Sequence, residues 1–160
     1  MFLIFVVYTI CIMYTWIQKC DAYIIRRLQK LEVPMARAAI FIVYVWFGFL
    51  KLAGMSPAGP LVQALFQKTI GGVSFPLFYV FFSLFEMVIG IVFLIRGLER
   101  VALFLLALHL FTTVLPLIFL PALTWQGFLV PTLEGQYIIK NILIAAIAVI
   151  IGSRVVPIRP

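Results

Sequence analysis

Long apolar runs with few charged residues are the feature that most constrains how this 160-residue chain can fold. Hydrophobic residues make up 66% of it and charged residues 11%, whereas average proteins have about 45–50% and about 25%. A soluble domain of this size could not bury that much apolar surface. Because a lipid bilayer accepts such surface, the sequence predicts an integral membrane protein. The composition excludes a soluble enzyme, a disordered tail and a nucleic-acid-binding protein with a basic surface.

A membrane-spanning helix needs about 20 predominantly apolar residues, because each residue adds a rise of about 1.5 Å. Runs of this kind, bounded by Arg and Lys, predict five spans at residues 1–18, 38–53, 75–95, 101–120 and 137–153. The predicted fold class is therefore all-α. It is a four-helix transmembrane bundle with one additional N-terminal transmembrane helix.

Residues 1–18 carry no charged side chain. We expect them to form a retained span and not a signal peptide, because no basic residue precedes the apolar run. Trp16, Ile17 and Gln18 also differ from the small residues of a cleavage site. The same absence of small residues before Cys20 argues against a lipoprotein.

Residues 19–36 are basic and amphipathic. Apolar side chains recur there at helical spacing, which predicts a helix lying in the membrane interface. Arg26, Arg27 and Lys30 are expected to contact anionic lipid headgroups and not nucleic acid. Pro34 is expected to end this helix.

The remaining connections are short. The sequence predicts a Gly- and Pro-rich hinge at residues 54–60, a short surface helix at 61–70 and a tight turn at 96–100. Pro116 should kink the fourth span and Pro121 should close it. A loop is predicted at 122–136. The domain boundaries are therefore 1–18 (first helix), 19–36 (interfacial segment), 37–153 (four-helix bundle) and 154–160 (tail).

Basic residues alternate between the two sides of the predicted membrane. Residues 19–37 contain five Lys and Arg, the 96–100 turn contains two and the tail contains two. In contrast, residues 54–74 contain one and residues 122–136 contain none. By the positive-inside rule, the N-terminus is expected outside and the C-terminus inside.

Several ionisable side chains lie within the predicted spans, where a charge is costly and is therefore usually paired or functional. Counting along each helix from its cytoplasmic end places Glu86 and His109 near the midplane. Lys51 and Lys140 lie about 6 Å farther out. We expect an outward-opening polar cluster that could serve as a quinone or proton site. Its members are Lys51, Glu86, His109, Lys140, Asn141 and Glu134.

Small and polar residues share one face of each of the last three spans, which is typical of helices that pack together in a membrane. These residues are Tyr79, Ser83, Glu86 and Gly90 on the third span, His109, Thr112, Thr113 and Pro116 on the fourth, and Asn141, Ala145, Ala148 and Gly152 on the fifth.

Each member of the cluster also has a simpler interpretation. Lys51 and Lys140 could extend their ammonium groups to the outer headgroups. Glu86 could form a purely structural ion pair with a lysine. His109 could make a hydrogen bond between helices, and Glu134 could be a solvated loop residue. The sequence leaves these alternatives open.

Three short motifs resemble the DoxX-like family of small membrane proteins. Arg37 followed by the residues WFGFLKL at 46–52 resembles the first helix of the family. Glu86 with Gly90 resembles its second helix, and EGQYIIKN at 134–141 resembles the start of its last helix. The resemblance covers residues 37–153 and leaves out the first predicted span.

The resemblance implies a four-helix bundle in a membrane redox system, since some relatives are small subunits of thiosulfate:quinone oxidoreductases or of oxidant-defence complexes. We expect a non-catalytic or co-catalytic subunit of a quinone-linked or electron-transfer complex in a bacterial-type cytoplasmic (inner) membrane. Its expected partners are other membrane subunits and lipids, and its candidate cofactor is a quinone. Neither cysteine has a second cysteine at metal-ligand spacing and the chain has one histidine, so no metal site is predicted. The sequence has no G-x-S-x-G motif and no P-loop, so no catalytic residue is predicted.

Two other functions stay open. The chain could be a purely structural accessory subunit of a larger membrane complex, in which case the intramembrane charges would be structural pairs. It could also be a small proton-coupled transporter. We rank the transporter last, because five spans are few and the sequence shows no internal repeat.

Overall fold

The computed structural model describes the backbone of residues 2–157 and the side chains of residues 13–157. The chain divides into two compact units, Met1–Met35 and Ala36–Pro160. In chain order its elements are α1 (Phe2–Leu52), α2 (Gly59–Thr69), α3 (Phe75–Leu94), α4 (Glu99–Phe119), α5 (Pro121–Thr124), β1 (Trp125–Gly127), β2 (Val130–Pro131), α6 (Leu133–Ile139) and α7 (Asn141–Ser153).

The first unit is helical, and α1 continues through Pro34. The prediction that Pro34 ends a helix is therefore wrong. Proline removes one backbone hydrogen bond, but membrane helices tolerate that loss. Residues 35–39 (Met-Ala-Arg-Ala-Ala) are also strong helix formers, so the helix resumes directly after the proline. Of the predicted first span, residues 1–18, residues 2–18 lie in this same helix. Residue 1 and the side chains of residues 1–12 lie outside the described part.

Within the described residues, four helical segments are long and apolar enough to cross a membrane. They are Met13–Leu52, Phe75–Leu94, Glu99–Phe119 and Leu133–Ser153. These segments confirm the prediction of an all-α, multi-pass membrane protein. The third and fourth predicted spans match α3 and α4 to within two residues, and the predicted short helix at 61–70 corresponds to α2.

The core of the second unit lies where its four long helical segments meet. Each segment contributes side chains that are at most 5% exposed. They are Ile40 and Tyr44 from α1, Ile89 and Phe93 from α3, Ala102 and Leu106 from α4, and Ile151 from α7. Large apolar side chains on the opposite faces, such as Phe104 at 69% exposed, point away from this core. That outward apolar surface is typical of helices that face lipid.

Two glycines allow α1 and α3 to approach closely. A Cβ at Gly48 would lie 2.8 Å from the carbonyl oxygen of Ser83. A Cβ at Gly90 would lie 2.9 Å from Cγ2 of Val45 and 3.2 Å from the carbonyl oxygen of Phe41. Small residues at such crossings let helix backbones pack directly against each other in a membrane.

The predicted loop at 122–136 is wrong in part, because the segment is folded. It contains α5, an antiparallel hairpin of β1 and β2, and the start of α6. Threonine side chains hold these short elements, since Thr124 Oγ1 donates to the carbonyl of Leu120 and Thr132 Oγ1 donates to the carbonyl of Leu123. Such local hydrogen bonds leave no apolar periodicity in the sequence. The predicted fifth span is also divided at Lys140, which separates α6 from α7.

Replacing Gly48 with alanine should destabilise the second unit, because the new Cβ must displace the backbone of α3. We expect the free energy of unfolding to fall by about 1–3 kcal/mol. Gly152→Ala is the matched control, since its Cβ would lie 3.4 Å from Cδ1 of Leu103, an ordinary contact. Alanine there should be neutral or stabilising by up to about 1 kcal/mol. Reversible unfolding in mixed micelles measures both, and equal losses would contradict the close crossing.

Candidate functional site

Glu86 on α3 is the centre of the candidate site. Its Oε2 lies 2.6 Å from Nζ of Lys51 on α1, and its Oε1 lies 3.0 Å from Nε2 of His109 on α4. The three residues are between 5% and 7% exposed. One carboxyl group therefore joins three helices in the interior of the second unit.

A fourth residue extends this network. The hydroxyl of Tyr44 lies 3.0 Å from Nδ1 of His109. An ionised carboxylate only accepts hydrogen bonds, so with Glu86 ionised His109 donates from Nε2. The Nδ1 of a neutral ring then accepts the proton of the Tyr44 hydroxyl. The order of the contacts is Tyr44, His109, Glu86, Lys51, and we call these four residues the buried network.

Helical geometry places the four side chains together. Tyr44 and Lys51 are seven residues apart, which is close to two turns of α1, so they project from the same face. Lys51 lies in the last turn of α1, where the helix dipole favours a cation. Helical side chains tilt toward the N-terminus of their helix, so the ammonium of Lys51 points back toward Glu86.

Aromatic rings enclose the buried network. Phe82 stacks on His109 with a centroid distance of 5.5 Å and an interplanar angle of 21°. The ammonium of Lys51 lies 5.8 Å from the ring centroid of Phe82. Tyr44 meets the edge of His109 at 5.1 Å, and Phe85 lies 6.3 Å from the same ring. These rings keep water away from the polar contacts and so strengthen the electrostatic interactions among them.

The buried position of Lys51 decides between two of the sequence-based alternatives. Its ammonium does not extend to the headgroups but pairs with Glu86. With His109 neutral, the formal charges of Lys51 and Glu86 cancel. A cancelled pair is the arrangement in which buried charges are tolerated, since an unpaired charge in the same place would cost several kcal/mol.

The structure does not bring the other three predicted members to Glu86. Lys140 is exposed, and its ammonium lies 5.0 Å from the ring centroid of Tyr137. Asn141 donates from Nδ2 to Oγ1 of Thr113 at 3.3 Å, which joins α7 to α4. Glu134 is exposed in the first turn of α6. The predicted cluster is therefore divided. Lys51 and His109 contact Glu86, whereas Lys140, Asn141 and Glu134 lie apart from it.

The buried network contains one residue that the sequence analysis missed. Tyr44 carries no charge, and an apolar segment that contains a tyrosine looks ordinary. Its seven-residue spacing from Lys51 was the available signal, because it puts both side chains on one helical face. The predicted polar faces do turn inward, since Ser83, Glu86 and Gly90 of α3 are all buried.

A second ion pair lies farther along the same helices. Nη2 of Arg37 on α1 lies 2.6 Å from Oε1 of Glu99 at the start of α4. Nη1 of Arg37 also donates to the carbonyl of Phe93 at 3.5 Å. Because Arg37 is fourteen residues from Lys51, about 21 Å along the helix, it fixes α1 against α4 well away from Glu86.

The three basic residues predicted to contact headgroups lie in the first unit. Arg26, Arg27 and Lys30 are all exposed on α1. Nε of Arg26 donates to the carbonyl of Ala22 at 2.9 Å, and the guanidinium of Arg27 lies 5.1 Å from the ring centroid of Tyr23. Their contact with lipid headgroups stays a prediction.

Replacing Lys51 with methionine should destabilise the protein, because it leaves the Glu86 carboxylate buried without its cation. We expect a loss of about 3 kcal/mol in the free energy of unfolding. The double variant Lys51→Met with Glu86→Met should recover part of that loss, since it removes both charges. Lys140→Met is the matched control on an exposed lysine and should change stability by at most about 0.5 kcal/mol. A double variant at least as unstable as the single one would contradict this account.

A comparison of the chain with protein-family models, with curated proteins and with solved structures finds no match. The resemblance to DoxX-like proteins therefore stays a prediction that rests on the motifs themselves.

Proposed function

We propose that this chain is a small integral-membrane subunit of a quinone-linked or electron-transfer complex, and that its buried network takes up and releases a proton during turnover. One observation carries the proposal: the carboxyl group of Glu86 lies between Lys51 and His109, inside a set of membrane-spanning helices. Ionisable residues at such depth are expensive and mark proton or substrate pathways in many membrane proteins.

The chemistry of the network suits proton exchange. Glu86 and His109 each have a protonated and an unprotonated form, and their 3.0 Å contact lets a proton move between them. Lys51 holds the carboxylate in place, while Tyr44 orients the imidazole through its Nδ1. Reduction of a quinone to a quinol takes up two electrons and two protons. In this proposal, a partner subunit supplies both electrons, the buried network delivers one proton and water supplies the other.

The proposal includes the topology of the DoxX-like bundle with an added N-terminal span. Arg37 contacts Glu99, and Arg100 donates to the carbonyl of Val156, so these basic residues lie at one end of the second unit. By the positive-inside rule that end, with the C-terminus, faces the cytoplasm of a bacterial-type cell.

A purely structural accessory subunit is the second candidate function. The observation that favours it is that the polar groups of Lys51, Glu86 and His109 all have partners within the chain. A network that is already satisfied can join three helices without binding anything else. The two functions differ in whether Glu86 must change its protonation state.

Glu86→Gln combined with Lys51→Met, which leaves no charge buried alone, should lower turnover with quinone without dissolving the complex. The amide keeps the shape of the carboxyl group but cannot take up a proton. Loss of general acid–base chemistry typically costs about 10²-fold or more in rate. The protein would be extracted with its partners from its own membrane in mild detergent. Native mass spectrometry would identify the partner chains and any bound quinone, and quinone reduction would be measured in the same preparation.

Lys140→Met is the control, because it removes an exposed lysine and leaves the buried network intact. It should retain full turnover and the same partner chains. Full turnover in the double variant Lys51→Met with Glu86→Met would overturn the proton role and favour the structural subunit. A chain that is extracted alone, without partner chains, would overturn the subunit assignment.

A further inference from the structure

The hairpin of β1 and β2 ends in an apolar tip formed by Phe128, Leu129 and Val130. Phe128 is 93% exposed, which is the largest value among the large apolar side chains of the described residues. Leu129 is 72% exposed and Val130 is 52% exposed. Three consecutive apolar residues at the tip of a turn are unusual, because turns are normally built from Gly, Asn, Asp, Ser or Pro.

The base of the hairpin is fixed to the bundle. Nε1 of Trp125 donates to the carbonyl of Leu117 at 3.0 Å, and the backbone N–H of Thr132 donates to the carbonyl of Thr124 at 3.0 Å. Gly135 packs so closely against the carbonyl of Thr124 that a Cβ would not fit. The tip is therefore held in one position by its base.

This anchoring also sets the depth of the hairpin. Leu117 lies in the last turn of α4, so Trp125 is placed at the membrane end of a spanning helix. Tryptophan is enriched at this level, where the ring contacts acyl chains and the N–H finds a polar partner. The turn itself cannot enter the hydrocarbon core, because backbone groups without partners are not tolerated there. The tip is thereby kept out of the hydrocarbon core.

Two features indicate that the apolar character of the tip has a use. Leu129 has a φ of +56°, a conformation that costs a leucine free energy and that glycine or asparagine adopts more readily. Residues 101–133 also contain no Asp, Glu, Lys or Arg. The hairpin can therefore bind through apolar contact but not through charge.

We propose that Phe128, Leu129 and Val130 insert into the interfacial layer of the bilayer and anchor this end of the protein to it. The occupant of this surface is lipid, because the tip continues the outward apolar surface of the neighbouring helices. Ile118 of α4 is 67% exposed and Leu133 of α6 is 62% exposed. The proposal concerns a surface separate from the buried network and does not depend on the proposed function.

Spin-label accessibility in lipid nanodiscs tests the proposal on the full chain. Cys11 and Cys20 would be replaced by serine, and a nitroxide would then be attached to Phe128→Cys. Collisions with O₂, which concentrates in lipid, would be compared with collisions with a water-soluble nickel chelate. Ser74→Cys is the matched control, because Ser74 is an exposed polar residue just before α3. Leu129→Cys provides a second site if the label at 128 perturbs the fold.

We expect O₂ collisions to dominate at position 128 and nickel collisions to dominate at position 74. Adding Leu129→Asn should shift the label at 128 toward the nickel chelate, since asparagine suits the φ of +56° but is polar. Dominant nickel collisions at 128 would mean that the tip lies in water. Low collision rates with both reagents would mean that a protein surface covers it. Either result would overturn the proposal.

Discussion

The contact between Glu86 and Lys51 is the interaction on which the second unit depends, because neither charge could stay buried without the other. The 2.6 Å pair joins α3 to α1, and the 3.0 Å contact of the same carboxyl group with His109 adds α4. Hydrophobic association contributes little between helices in lipid, since acyl chains are as apolar as leucine. A polar contact that lipid cannot replace therefore specifies which faces of the three helices meet.

The ion pair acts together with the close crossing of α1 and α3. Gly48 lies three residues before Lys51, and Gly90 lies four residues after Glu86, so the two glycines flank the pair on both helices. They let the two backbones approach so closely that the carbonyl oxygens of Ser83 and Phe41 lie within 3.2 Å of where a Cβ would be on the facing glycine. Close backbone approach shortens the distance that the side chains of Lys51 and Glu86 must span, and it excludes lipid from between the two helices. Packing and charge thus support the same arrangement.

The sequence predicted the parts of this protein that depend on composition and helical period. The long apolar segments and the inward faces of α3 and α4 follow from these patterns, and so does the grouping of Lys51, Glu86 and His109. Which lysine pairs with Glu86 was left open. Such patterns do not show whether the helix formers after a proline are strong enough for the helix to continue. The continuation of α1 through Pro34 was therefore missed. The hairpin at 125–131 depends on hydrogen bonds of Thr124 and Thr132 that have no sequence period. Lys140, predicted as a member of the polar cluster, is instead exposed beside Tyr137.

The two ends of the second unit differ in chemistry, and this difference bears on how the buried network could exchange a proton. One end holds Arg37, Glu99 and Arg100 in defined contacts, whereas the other carries the uncharged hairpin. Lys51 is one residue from the end of α1 on the hairpin side, while Tyr44 is two turns deeper. The buried network thus runs inward from that side, away from the arginines. In the proposed proton role, a proton that enters from the hairpin side therefore meets the ammonium of Lys51 before Glu86, whereas Arg37 lies about 21 Å farther along α1.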